Sequence, residues 1–243
     1  MDSLFIVMPA YNEEANIENV IRQWHPVAER LSGEGVCCRI VVANDGSKDQ
    51  TSERLHQLVK LYPYLEAIDK PNSGHGGTVL FLYHYALSNG ATYVFQTDSD
   101  GQTLPEEFYP MWNNRQKADF HIGFRYGRKD GFSRVVVTKV LRLVVLMLFG
   151  VWVKDANTPF RLMNANQLKT VMQYIPDGFF LSNVAISAIA VKRHFHIQWY
   201  PITFRPRQGG VNSINLKRIF GIGKKALAEF YSMNRNLTKT EKG

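Results

Sequence analysis

Four short apolar runs, each followed by a stretch of helical periodicity, occupy roughly the first 110 residues, and this alternation constrains the fold more than any other feature. Phe5–Met8 is an apolar run stopped by Pro9. Asn12-Glu-Glu-Ala then opens a helical pattern through Ile17, Val20, Ile21 and Trp24, with Asn12 as its N-cap and the glutamates at the positive helix end. Arg39–Ala43 ends in Asn44-Asp45-Gly46-Ser47, and a helix follows through Leu55, Leu58, Val59 and Tyr62. Leu65–Asp69 leads into Asn72-Ser-Gly-His-Gly-Gly77 and a helix to about Ser88. Tyr93–Gln96 ends in Thr97-Asp98-Ser99-Asp100-Gly101-Gln102. Strands alternating with helices call for an α/β fold, a mostly parallel central sheet with helices on both faces.

After Asp119 the pattern changes. Phe120–Phe124 reads as a strand, Arg125–Arg134 as a basic, Gly-rich loop, and Ser133–Phe149 as a helix. A short strand within Thr158–Met163, a helix from Asn166, a helix over Ser182–Lys192 and a strand over Ile197–Phe204 follow. Ile214–Asn234 is a final amphipathic helix. The expected organisation is one domain over 1–213, with a first half at 1–122 and a second at 123–213, and a basic amphipathic helix and tail at 214–243. A chain of 243 residues buries enough apolar surface to fold without staples. The two cysteines, Cys37 and Cys38, exclude a disulfide scaffold and a multi-Cys metal site, and read as core thiols in a reducing compartment.

Charge separates the halves. Residues 1–122 hold 9 Lys/Arg against 16 Asp/Glu, and residues 123–243 hold 20 against 5. The basic half calls for a polyanionic partner. The basic loop interleaves a single Tyr126 with its charges, which is too little stacking surface for a nucleic-acid groove, so no nucleic acid is expected. Neither G-x-G-x-x-G nor G-x-x-x-x-G-K-[ST] is present. The start carries no signal-peptide pattern. The longest apolar stretch, Val135–Val153, contains Lys139 and Arg142, each costing about 2.5–3.5 kcal/mol near a bilayer centre, which argues against a spanning helix. A cytoplasmic protein is expected.

In open α/β sheets ligands bind beyond the C-terminal strand ends. Glu13, Asp45, Asp98 and Asp100 all fall on that edge, a convergence that helix capping alone does not need, although capping explains Asp45 taken singly. Asp98 and Asp100 are the sharpest pair. Carboxylates at i and i+2 after a strand suit a hard divalent cation such as Mg²⁺, which is held by one or two carboxylates and substrate phosphates. The alternative is a turn before Leu104-Pro105. His75 lacks a nearby His or Cys and reads as a loop or supporting residue.

On these residues the chain resembles the family 2 inverting glycosyltransferases, with the GT-A nucleotide-sugar fold. The matching motifs are Ile6-Val-Met-Pro-Ala-Tyr-Asn-Glu-Glu14, Val41-Val-Ala-Asn-Asp-Gly-Ser47 with Asp49 and Thr51, and Gln96-Thr-Asp-Ser-Asp-Gly-Gln102. The second half is similar to the polyprenyl-phosphate glycosyl synthases, of the dolichyl-phosphate mannose synthase kind. This likeness rests on Gly123-Phe-Arg-Tyr126, Lys154-Asp-Ala-Asn-Thr-Pro-Phe-Arg161, and Tyr200–Gly210 with Asn212 and Ser213. The resemblance implies that Pro9, Ala10, Tyr11 and Glu13 line a UDP- or GDP-linked sugar and that Asp45 contacts its base or ribose. It implies that Asp98, Ser99, Asp100 and Gln102 hold ribose, diphosphate and a Mg²⁺ or Mn²⁺ ion. Arg125, Arg205, Arg207 and Ser213 would meet the acceptor phosphate, and Asp100, Arg125 and Asp155 are the candidate catalytic residues. Two positions depart from the pattern. Asn44 stands where an Asp is common, and Phe180-Leu-Ser-Asn-Val184 lacks the acidic pair that many relatives acting on sugar hydroxyls carry.

That second departure bears on mechanism. A hydroxyl nucleophile needs a base, whereas a phosphate monoester, with a second pKa of about 6, is mostly dianionic at pH 7. The missing pair and the basic second half favour a polyprenyl phosphate acceptor over a sugar hydroxyl of an envelope glycan. A nucleotidyltransferase on a similar fold, or a non-catalytic nucleotide or anion binder, remains the reading from other classes. Asp155 and Asp177 are the remaining candidate bases, Asp155 being equally suited to a structural link with Arg161. In the final helix Leu216, Ile219, Phe220, Leu227, Phe230 and Tyr231 share one face, and Lys217, Arg218, Lys224 and Lys225 the other. This pattern reads as an anionic membrane surface contact on the cytosolic face, or as packing on its own domain.

Overall fold

The computed structural model describes residues 1–125, 132–206 and 227–238, with 132–140 as backbone alone. The strands are β1 (Ser3–Ala10), β2 (Cys37–Asn44), β3 (Leu65–Asp69), β4 (Tyr93–Gln96), β5 (Phe120–Arg125), β6 (Arg161–Asn164) and β7 (Ile197–Ile202). The helices are α1 (Ile17–Gly33), α2 (Thr51–Val59), α3 (Gly74–Ser88), α4 (Phe108–Asn113), α5 (Phe132–Phe149), α6 (Ala165–Met172), α7 (Ser182–Lys192) and α8 (227–238). All seven strands form one sheet in the order β3-β2-β1-β4-β6-β5-β7. Among the described residues β6 alone runs antiparallel, to both β4 and β5.

The register sets the site. Ala10 pairs with Asn44 and Asn44 with Asp69, so β1, β2 and β3 end in one row. Because β6 reverses twice, β4, β5 and β7 point the same way as β1. Gln96, Arg125 and Ile202 therefore end at the same edge, and Arg161 begins β6 opposite Gln96. The β1 side chains alternate between two cores, as a strand buried on both faces requires. Phe5 and Val7 pack with α3, α7 and α8; Leu4, Ile6 and Met8 pack with α1, α2 and α4.

Beyond shifts of one to three residues at element ends, the structure differs from the sequence reading in four places. α1 starts at Ile17, and Asn12 is not its cap. Asn12 takes a left-handed φ of 55°, and its Oδ1 accepts from the Lys48 N–H at 2.8 Å, which pins the loop after β1 to the loop after β2. Cys37 is exposed and only Cys38 is in the core, because adjacent strand residues face opposite ways. Asp155 bonds Arg125, whereas the structural link suggested for it was to Arg161. In α8, Phe230, Met233 and Leu237 form the buried seam, spaced i, i+3, i+7, while Leu227 and Tyr231, read as partners of Phe230, face outward. Residues 214–226 of the expected final helix, with Lys217, Arg218, Lys224 and Lys225, lie outside the described residues, as do Arg207 and Ser213 and the loop 126–131.

Candidate functional site

The loops beyond the β1, β2 and β4 ends are tied together by their own hydrogen bonds. Glu13 N–H donates to Thr51 Oγ1 at 2.8 Å, Thr51 donates to Asp49 Oδ1 at 2.6 Å, and Asp49 Oδ2 accepts from Glu14 N–H. The Glu13 carboxylate, 7% exposed, accepts from Asn16 Nδ2 at 2.7 Å. Ser99 Oγ donates to the Pro9 carbonyl at 2.7 Å, and the Asp45 N–H to the Ala10 carbonyl at 2.8 Å. Pro9 and Ala10 thus act through their backbone, and Tyr11 stands exposed beside them.

Asp45 is 2% exposed. Its Oδ1 takes the Lys70 ammonium at 2.5 Å and the Ser73 N–H at 2.8 Å; its Oδ2 takes the Gly74 N–H at 2.9 Å. It therefore caps α3 from a distance, where unpaired N–H groups and the helix dipole favour an anion. Burial, the largest single influence, pushes its pKa up, but the hydrogen bonds from Lys70 and Ser73 outweigh it and hold the carboxyl below its ordinary value. Lys70, absent from the sequence reading, is the residue that makes a buried Asp45 affordable. Its signal was its place directly after Asp69 in the row of strand ends. Asn44 has a partner that an Asp would repel: its Nδ2 donates to Asp69 Oδ1 at 2.7 Å.

Asp98 and Asp100 lie on the same edge. His75, on the first turn of α3, brings Nε2 to 3.0 Å from Asp98 Oδ1. Desolvation acts most strongly on His75 and lowers its pKa, yet the surrounding charges of Asp98, Asp100 and Asp45, with the Asp98 hydrogen bond, leave it raised. Asp100 Oδ1 accepts from the Gln102 N–H at 3.1 Å. Among the described residues no three His, Cys, Asp or Glu groups form a metal cage. Two hard carboxylates at a strand end fit a cation that completes its shell with diphosphate oxygens, the arrangement Mg²⁺ and Mn²⁺ accept.

The second half of the chain meets this edge through Gln102. Its side chain donates to the Arg205 carbonyl at 2.7 Å, and the Arg205 N–H donates to the Gln102 carbonyl at 2.8 Å. Arg125 and Asp155 form a two-pronged ion pair, Nε to Oδ2 and Nη2 to Oδ1, both 2.8 Å, with side chains 9% and 5% exposed. The Arg125 N–H also donates to Asp155 Oδ2 at 3.2 Å, and the guanidinium lies 5.2 Å from the Phe204 ring centroid. Arg161, fully buried, spends its donors on the carbonyls of Ala156, Thr158 and Asn183. Asp177 is fully exposed.

α3 and the start of α7 touch at backbone distance. A Cβ on Gly76 would come within 2.3 Å of the Phe180 carbonyl oxygen, so the 180–184 segment sits against the first turn of α3, the turn that carries His75. There α7 begins with Ser182 and Asn183, buried and uncharged.

Residues 5–187 match the family described as glycosyl transferase family 2. The chain belongs to that family. It is a glycosyltransferase. A polyprenol monophosphomannose synthase of Mycolicibacterium smegmatis is 24% identical over 219 residues, covering 86% of this chain and 80% of the relative. A UDP-N-acetylglucosamine–dolichyl-phosphate N-acetylglucosaminyltransferase of Methanococcus voltae is 23% identical, covering 82% of this chain and 84% of the relative. Among solved structures, glucosyl-3-phosphoglycerate synthase from Mycobacterium tuberculosis, in complex with Mn²⁺, uridine diphosphate and glucosyl-3-phosphoglycerate, superimposes with a TM-score of 0.68. It is 16% identical and covers 96% of this chain and 80% of that one, a likeness of fold, the GT-A fold expected above.

Proposed function

We propose that the chain moves a sugar from a nucleoside-diphosphate sugar to a polyprenyl phosphate, with inversion at the anomeric carbon, at a membrane surface on its cytosolic side. The observation that carries this is the start of α7: the segment 180–184, packed on the first turn of α3, contributes Ser182 and Asn183 there and no carboxylate of its own. Of the two remaining base candidates, Asp155 pairs its carboxylate with Arg125 and Asp177 is fully exposed. A phosphate nucleophile, already dianionic, needs positioning and charge neutralisation, which arginines supply. The names of the M. smegmatis and M. voltae relatives agree with such an acceptor.

In this reading Pro9, Ala10, Tyr11 and Glu13 line the nucleotide. Asp45 supports the floor of that site by holding α3, and Ser99 and Gln102 fix the strand-end loop. Asp98 and Asp100 would hold Mg²⁺ or Mn²⁺, which stabilises charge on the departing diphosphate. His75 keeps Asp98 oriented. Arg125, Arg205 and, outside the described residues, Arg207 and Ser213 orient the acceptor phosphate in line with the anomeric carbon. Residues 1–122 serve the donor and 123–213 the acceptor. A screen of radiolabelled UDP-, GDP- and dTDP-sugars against undecaprenyl phosphate, with and without divalent cation, tests the reading. Label in a lipid phosphate is expected. Label only in a sugar-hydroxyl acceptor transfers the function to glycan extension.

A further inference from the structure

We propose that a recess at the sheet edge opposite the strand-end site binds a hydroxyl-bearing phosphomonoester of sugar-phosphate size. The proposal concerns a second site and does not depend on the acceptor assigned above. The recess has a volume of about 380 Å³, within the range of small-molecule sites, and Tyr93, Arg115, Lys117, Asp119, Asn164 and His196 line it. Its walls come from the far ends of four strands: β4 starts at Tyr93, β5 follows Asp119, β7 follows His196, and β6 ends at Asn164. β5 is six residues long, so about 20 Å of strand separates Asp119 from the Arg125 end. A ligand in the recess therefore touches none of the residues proposed for donor or acceptor.

Three of these side chains are fastened at one end and uncommitted at the other. Arg115 Nε donates to Asp2 Oδ2 at 2.8 Å and Nη1 to the Trp112 carbonyl at 3.1 Å, and the guanidinium lies 4.2 Å from the Trp112 ring centroid. Its Nη2 has no partner among the described residues. Asp119 Oδ2 accepts from the His196 N–H at 2.8 Å, which leaves Oδ1 open. Asn164 Oδ1 accepts from the Asn166 N–H at 3.0 Å, which leaves Nδ2 open. The Lys117 side chain, exposed at the rim, also has no partner among the described residues. Side chains held in place in this way lose little freedom when a ligand arrives.

The open ends select the chemistry of the ligand. Arg115 and Lys117 bring positive charge and N–H donors, the combination that suits a phosphate. Asp119 brings a carboxylate oxygen, which repels a bare anion and accepts from a hydroxyl, and Asn164 brings an amide donor for a hydroxyl oxygen. Inorganic phosphate would leave Asp119 opposed to it. A sugar without phosphate would leave both cations unused. A phosphomonoester carried on a polyhydroxyl body meets all four groups.

The test follows the backbone amide resonances of the full chain by NMR during titration with glucose 1-phosphate, glucose and inorganic phosphate. Glucose 1-phosphate is expected to shift Lys117, Asp119, Asn164 and His196 saturably. Glucose and inorganic phosphate should each bind there at least about tenfold more weakly, since each forfeits hydrogen bonds to charged groups. Lys117→Gln, which has no bond to lose in the free protein, should keep the wild-type melting temperature and weaken glucose 1-phosphate at least about tenfold. Shifts confined to Asp98–Gln102, Arg125 and Arg205 would put the phosphate at the strand-end site and overturn the recess. Equal affinities for glucose and glucose 1-phosphate, or a Lys117→Gln variant that binds like wild type, would overturn it as well. Inorganic phosphate bound as tightly as glucose 1-phosphate would overturn the hydroxyl-bearing ligand.

Discussion

Replacing Asp155 separates the two roles open to it. Its carboxylate holds Arg125 by two 2.8 Å bonds in a pair less than one-tenth exposed at either end. Asp155→Ala strands a buried guanidinium, and breaking a buried pair in this way costs about 3–5 kcal/mol. For a chain of this size each kcal/mol moves the melting temperature by about 2–4 °C, so a drop of about 6–20 °C is expected by calorimetry. Asp155→Asn keeps one oxygen acceptor for the Arg125 side chain and should recover part of that loss. The kinetic signature follows from Arg125, which would lose its fixed orientation. The KM for an isoprenyl phosphate rises at least about tenfold in Asp155→Asn, while nucleotide-sugar binding stays within about twofold and the acid limb of the pH–rate profile, set by the acceptor's second ionisation, is retained. An Asn variant that melts like wild type and keeps its acceptor KM, but loses kcat together with the acid limb, would show that Asp155 is a base and that the ion pair is incidental.

Asp100→Asn removes one of the two carboxylates proposed to hold the cation and should reduce kcat by about 10²-fold or more; full activity of the variant in EDTA contradicts that role. Asp45→Ala should weaken nucleotide binding only through α3, so calorimetry and hydrogen exchange at Ser73–Thr78 should change together; lost affinity with unchanged exchange would mean a direct contact. Asp45, Asp49 and Asp69 all have pKa values held below the ordinary carboxylate value, with burial opposing the shift and hydrogen bonds producing it. The stability they contribute is fully present above about pH 4 and is lost as pH falls through their folded values, which urea unfolding at neutral and acid pH will read as a falling midpoint. Gly76→Ala forces a Cβ into the Phe180 backbone and should cost about 1–3 kcal/mol and loosen the α3–α7 contact; an unchanged melting temperature contradicts that packing.

Local pattern carried much of the fold. β3, β4 and α7 begin and end where their sequences say, because continuous apolar runs and Gly or polar breaks mark both boundaries. The reversed direction of β6 was not legible, since four residues of strand carry no sign of which neighbour they join, and β6 sits between strands distant in sequence. At the site, the convergence of Glu13, Asp45, Asp98 and Asp100 followed from strand order alone. Their partners did not. Lys70 reaches Asp45 across 25 positions, Asp155 reaches Arg125 across 30, and Gln102 reaches Arg205 across 103. Such pairs depend on three-dimensional closure that no short window of sequence records. Asn12 misled for a related reason: a residue suited to cap a helix is equally suited to a left-handed turn, and the Lys48 N–H decided between them.

In the reaction proposed for this chain a lipid phosphate oxygen attacks the sugar. Mass spectrometry of the lipid product formed from the active nucleotide sugar and undecaprenyl phosphate tests it most directly. The expected product is an acceptor heavier by a single glycosyl unit, still carrying one phosphorus, with free nucleoside diphosphate released in equal amount. A lipid carrying a second phosphorus, or an unmodified lipid beside a glycosylated sugar hydroxyl, would contradict it.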